Sequence, residues 1–114
     1  MEHIMWLNPS PFQMIKDGTK TIELRLYDEK RQKIQVGDTI CFINTSNESN
    51  ILRTIVEKIY IFKSFEELYQ HLPLLACGYT ESNINTASPE DMMEYYPLEK
   101  QKCYGVIGIQ IALV

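Results

Sequence analysis

Metal and redox chemistry find little to work with in this chain of 114 residues. Its two histidines, His3 and His71, stand alone. Its three cysteines, Cys41, Cys77 and Cys103, are far apart, with no C-x-x-C. That spacing excludes a zinc ribbon and a thioredoxin-type pair, so no metal and no cofactor are expected. An odd, scattered set of thiols suits a reducing compartment, which leads to the expectation of a cytoplasmic protein with buried or inert cysteines. No apolar run approaches the ~18–20 residues that span a bilayer, so no membrane partner is expected. The opening Met1-Glu2-His3-Ile4-Met5-Trp6 lacks both the basic start and the unbroken apolar stretch of a secretory leader. There is no positive excess either. Eleven Lys and Arg face fifteen Asp and Glu, for a net charge of −4, which excludes a uniformly basic nucleic-acid coat. Repeats, low-complexity tracts and linkers are absent, so residues 1–114 are expected to form one domain.

What is present is the composition of a globular protein, 45% hydrophobic and 23% charged, with enough chain for a single core. Residues 3–7 read as a short strand ended by Asn8-Pro9. Ser10 as N-cap and Pro11 at the first helical position predict a short helix that stops at Asp17-Gly18. Alternation then predicts a strand over 19–26, with Ile22, Leu24 and Leu26 on one face and Thr21, Glu23 and Arg25 on the other. A charged loop, 28–33, precedes a tight turn at Val36-Gly37-Asp38 and a strand over 39–44. Asp38 is expected to hold that turn through backbone hydrogen bonds. A polar turn over 44–50 leads into a long strand, 51–62. Ser64 caps a helix that Pro73 ends. Residues 74–87 read as irregular, Ser88-Pro89-Glu90-Asp91 as a helix start running to Pro97, and 104–111 as a closing strand. Gly105 and Gly108 in that strand point to sheet curvature. Trp6 reads as a core residue, with one wall of a cleft as the alternative. The sum is an α+β domain built on a curved sheet or small barrel, because too few helices exist to cover both faces of a flat one.

Charge is unevenly distributed. Residues 16–33 hold six basic side chains against four acidic ones, +2, which leaves −6 for the rest of the −4 chain. Within this strip Glu23 and Arg25 share a strand face. Lys20 is out of phase with them and joins them only if the strand starts irregularly at Gly18-Thr19. A Lys–Glu–Arg trio beside the Thr21 hydroxyl can grip a phosphate and accept protons from an exocyclic amine. It can also support acid–base chemistry, with Lys20 and Glu23 as the catalytic pair if the protein is an enzyme. The same alternation equally describes cross-strand ion pairs on a solvent face, each worth a few tenths of a kcal/mol. Tyr79, Tyr95, Tyr96 and Tyr104 are the aromatic side chains placed to stack on bases or to pack with a satisfied hydroxyl.

These residues carry a resemblance. Pro11-Phe12 and the run Ile15-Lys16-Asp17-Gly18-Thr19-Lys20-Thr21-Ile22-Glu23-Leu24-Arg25 are similar to the G-x-K-x-x-E-x-R signature of ASCH domains, members of the PUA-like β-barrel superfamily. Val36-Gly37-Asp38-Thr39-Ile40 resembles the family's G-D-x-I turn, and Tyr104-Gly105-Val106-Ile107-Gly108-Ile109 its closing strand. The resemblance implies an α+β, PUA-like small β-barrel flanked by short helices. It also implies a cleft beside the barrel, formed by Lys20, Glu23 and Arg25, that binds single-stranded RNA or a nucleotide-like small molecule. Lys16 and Thr21 would stand at its edge and Lys30, Arg31 and Lys33 would form a basic rim, with Tyr104 as a further ligand contact. A monomer is the simplest assembly. The rival reading is a small enzyme centred on Lys20, either a ribonuclease or an amidohydrolase on acetylcytidine. One branch of the superfamily performs the latter reaction with a Lys, Thr and Glu set. Lys20 matches its lysine, but its threonine falls at Glu23, and only Glu66 and Glu67 offer an acid by helix position. A third class, a protein-interaction module, would leave the basic strip as solvated surface.

Overall fold

The computed structural model describes residues 1–114. Strand β1 (Glu2–Leu7) leads into helix α1 (Pro9–Asp17), β2 (Ile22–Leu26), β3 (Thr39–Asn44) and β4 (Asn47–Phe62). Helix α2 (Phe65–His71), short 3-10 turns, helix α3 (Leu98–Tyr104) and β5 (Val106–Leu113) complete the chain. The five strands form one sheet in the order β1-β3-β4-β5-β2. β1 runs parallel to β3 and every other pair is antiparallel. The sheet curls into a half-barrel whose free edges are β1 and β2. β4 makes the curl possible. Its first half pairs with β3 and its second with β5, and the register shifts between Val56 and Lys58, a bulge that bends the strand.

Local chemistry explains most of the elements. Pro9 and Pro11 both sit in the first turn of α1, where the missing N–H groups would have had no partner. The helix therefore starts two residues earlier than the Ser10 cap predicts, with Asn8 at the boundary. Gly18 ends it in the left-handed conformation, φ 83°, as expected. The Ser64 hydroxyl accepts from the Glu67 N–H and caps α2. The turn before β4 is shorter than predicted, since pairing resumes at Asn47. Ser88 does cap, with Asp91 reaching back to its N–H, but the helix expected to run to Pro97 is a single turn, Pro89–Met92. Pro97 pushes Tyr96 away from helical geometry and instead begins α3, a helix the sequence pattern does not reveal.

The core falls into two clusters, one on each side of the sheet. Inside the curl, α1 presses Phe12 and Ile15 onto Met5, Ile40, Phe42, Val56, Ile107 and Ile109. Outside it, Phe65 and Leu68 of α2 and Leu72 just beyond its end cover Ile22, Leu24 and Val106. Gly108 lets α2 approach β5, since a Cβ there would lie 2.8 Å from Leu72 Cδ1. Close packing is therefore its role. Asp38 holds its turn by accepting from the Gln35 N–H at 3.0 Å, and also meets the His3 ring at 2.8 Å. No helix is long and apolar enough to cross a membrane.

Candidate functional site

The end of α1 sets up the site. Thr19 and Lys20 both donate their N–H groups to the Met14 carbonyl, so the chain folds back before β2 begins at Ile22. This is the irregular start that brings Lys20 into phase with Glu23 and Arg25. Lys20 Nζ lies 2.7 Å from Glu23 Oε1, and Arg25 Nε lies 2.7 Å from Glu23 Oε2. Glu23 is 3% exposed, so the trio is a buried ionic centre and the solvent-face reading of the strand is overturned. Arg25 also donates to the Trp6 carbonyl at 2.9 Å and so ties edge strand β2 to edge strand β1 across the open seam of the barrel. Burial pushes the Glu23 carboxyl up, but the charges and hydrogen bonds of Lys20 and Arg25 outweigh it and hold the carboxyl below its usual value. Burial acts against the Arg25 charge in the same way, and Glu23 and Tyr96 reverse it.

The centre forms the floor of a cleft of about 580 Å³. Trp6 of β1 and Pro11 and Met14 of α1 form one wall, and Tyr69 of α2 with Cys77, Gly78 and Tyr79 forms another. The third wall, Asp91 to Tyr96, comes from the segment before α3. Trp6 is 48% exposed and belongs to this wall. Of its two expected places the core is corrected and the cleft wall holds, because β1 is an edge strand whose outward side chains nothing covers. Tyr69 and Tyr79 share a hydroxyl–hydroxyl bond of 2.6 Å, and Tyr79 donates to Asp91 at 2.6 Å. Burial and these bonds raise the Tyr79 phenol, which stays protonated as a donor. Gln101, also buried, donates to the Tyr96 carbonyl and accepts from the Phe65 N–H, which anchors the third wall to α2.

The remaining sequence-predicted residues lie elsewhere. Lys16 is exposed on the last turn of α1. The Thr21 side chain is exposed, while its backbone pairs with Ala76 and Ile111. Lys30 and Arg31 border a smaller depression beside His3, and Arg31 pairs with Asp28 at 2.8 Å. Lys33 is exposed. Tyr104 ends α3, not the closing strand, with its hydroxyl 3.4 Å from Glu29. None of these six lines the cleft. Sequence reasoning assigned no site role to Asp91, Glu94 or Tyr69. The Ser88 capping signal and the stacking candidates Tyr95 and Tyr96 are what mark the stretch of the two acids in the sequence.

No cluster of His, Cys, Asp and Glu has the arrangement of a metal site. Cys77 lines the cleft, but burial pushes its thiol up to about 11 despite the Lys20 charge, so it is a poor nucleophile near neutral pH. Cys41 is buried as well, and Cys103 is exposed. A brief pulse of iodoacetamide on the folded protein is therefore expected to label Cys103 and spare Cys41 and Cys77. Peptide mass spectrometry reads the outcome, and equal labelling of Cys77 would contradict the geometry.

A family model described as ASCH domain matches residues 5–114. Among solved structures, the chain is similar to hypothetical protein PH0355, at 31% identity and a TM-score of 0.82 over 100% of both chains. It is also similar to protein PF0455 from Pyrococcus furiosus, at 33% identity and a TM-score of 0.73, covering 100% of this chain and 98% of that one. ASCH from Zymomonas mobilis shares the fold at 16% identity and a TM-score of 0.64, over 97% of this chain and 66% of that one. No curated protein matches the sequence.

Proposed function

Because this chain belongs to the ASCH domain family, we propose that its cleft binds the base of a nucleotide-like ligand, either free or at an unpaired position of single-stranded RNA. The observation that carries this reading is the buried Lys20–Glu23–Arg25 centre, with both contacts at 2.7 Å, on the floor of an aromatic-walled cleft. The lysine ammonium has three donors and Glu23 takes one, which leaves two for a base carbonyl or ring nitrogen. Arg25 is committed to Glu23 and to the Trp6 carbonyl, so it positions the carboxylate and Lys20 is the ligand-facing cation. Trp6 and Tyr95, 48% and 60% exposed, offer faces on which a base can stack, at about 1–3 kcal/mol per base. Lys16, Lys30 and Lys33, outside the cleft, are available to the backbone of a longer strand, whereas Arg31 is held by Asp28.

Binding is favoured over hydrolysis by the state of the same groups. Glu23 is held ionised by two cations, so it has no proton to give, and each of its oxygens is already engaged, Oε1 by Lys20 and Oε2 by Arg25. The Thr21 side chain lies outside the cleft, and the Cys77 thiol is protonated. Trp6 is the only tryptophan, so its fluorescence reports occupancy directly. Titration with the four ribonucleosides and short oligoribonucleotides is expected to give saturable quenching. Lys20→Ala is expected to weaken it by about tenfold or more, the loss of a charge-assisted hydrogen bond. Unchanged affinity in a folded Lys20→Ala variant overturns the reading.

A further inference from the structure

Counting the charges that face the cleft leads further than its shape. Two cations line it, Lys20 and Arg25, and three carboxylates, Glu23, Asp91 and Glu94, so its net charge is −1. Both cations are engaged by Glu23 at 2.7 Å, and only Lys20 keeps donors free toward the cavity. The two acids of the third wall are differently placed. Asp91 accepts from the Tyr79 hydroxyl and the Ser88 N–H through Oδ2, and neither Asp91 nor Glu94 is in a salt bridge. The other four basic side chains of residues 16–33, Lys16, Lys30, Arg31 and Lys33, stand outside. A phosphate in this cleft would meet Lys20, whose charge Glu23 already balances, and two carboxylates that no cation balances.

We infer that the cleft takes a base or nucleoside without phosphate and rejects its monophosphate, with Asp91 and Glu94 as the residues that set this selectivity. The inference rests on the base-binding reading above. Asp91 and Glu94 also supply acceptors for an exocyclic amine, a second reason for an acidic wall beside an aromatic one. In RNA the phosphates on either side of a bound base would have to stay outside the mouth.

The test compares each of the four ribonucleosides with its own 5′-monophosphate by Trp6 fluorescence and calorimetry at low salt. Two charges about 7 Å apart in water-like surroundings interact by a factor of about three, so the doubly charged monophosphate is expected to bind about tenfold more weakly. Added salt should narrow the gap by strengthening monophosphate binding, the opposite of a phosphate-contacting site. Glu94→Gln removes one exposed carboxylate that is in no salt bridge and brings the net charge of the cleft to zero, so it should remove most of the discrimination. A monophosphate that binds as tightly as its nucleoside overturns this inference and leaves the base-binding reading standing. Absence of binding by every nucleoside and oligoribonucleotide overturns both.

Discussion

Glu23→Gln is expected to destabilise the fold by about 3–5 kcal/mol, the cost of breaking a buried ion pair from one side. The substitution keeps the shape and removes only the charge. Lys20 and Arg25, with side chains 10% and 12% exposed, would then face each other without a counter-ion. Urea unfolding measures the loss, and a change under about 1 kcal/mol would show that the centre contributes little. The triple change Lys20→Met, Glu23→Leu and Arg25→Met should cost less than Glu23→Gln alone, since apolar groups of similar size leave no charge behind. It should abolish ligand binding all the same. The pH dependence has a definite sign. Glu23 titrates below its ordinary value of 4.5 when folded, so the stability it confers is complete above that value. It is lost as the pH falls through the lower folded one. Glu23→Gln should flatten that part of the acid limb.

Two edges of the sheet decide which parts of this protein were legible in its sequence. Where a segment reports on its own neighbours, the pattern suffices. The alternation over 39–44, the Ser64 cap and the glycine stop of α1 all describe contacts made within a few residues. The cleft is a different matter, because β1 and β2 are both edge strands and the seam between them is closed by groups distant in sequence. Arg25 reaches the carbonyl of Trp6, nineteen residues earlier. The third wall, Asp91 to Tyr96, closes on Lys20 from about seventy residues away. Alternation alone therefore left open whether Glu23 and Arg25 faced solvent or each other. It also favoured the core over a cleft wall for Trp6, since an apolar residue on an uncovered edge carries no local mark. Helix α3 escaped for a related reason. Its sequence, Leu98-Glu99-Lys100-Gln101-Lys102-Cys103-Tyr104, has no apolar stripe, and its one buried residue is polar. Gln101 holds α3 in place by two hydrogen bonds instead. The Lys20–Glu23–Arg25 trio was nonetheless visible, because an irregular strand start was the one arrangement that could unite it.

Gly105→Ala is the substitution expected to cost most among the glycines, about 2–5 kcal/mol. Gly105 turns the chain from α3 into β5 at φ 76° and ψ −174°, a region essentially reserved for glycine and worth about 1–3 kcal/mol of strain to any other residue. A Cβ there would also stand 2.9 Å from the Phe62 carbonyl oxygen. That oxygen belongs to the backbone of β4 and cannot move aside without disturbing the Phe62–Val106 pairing, a packing conflict of about 1–3 kcal/mol. Gly108→Ala provides the control. Its Cβ would press at 2.8 Å on Leu72 Cδ1, the free end of a flexible side chain, and its backbone carries no such restriction. The loss should stay within about 1–3 kcal/mol, and the reverse order in thermal or urea unfolding would contradict this account. The two variants should also differ at the cleft. β5 begins by pairing Val106 with Leu26 and Ile107 with Arg25, so a displaced turn at Gly105 shifts Arg25 away from Glu23. Gly105→Ala should therefore weaken nucleoside binding in the fraction that remains folded, whereas Gly108→Ala disturbs the α2 face and should leave it nearer to that of the unaltered protein.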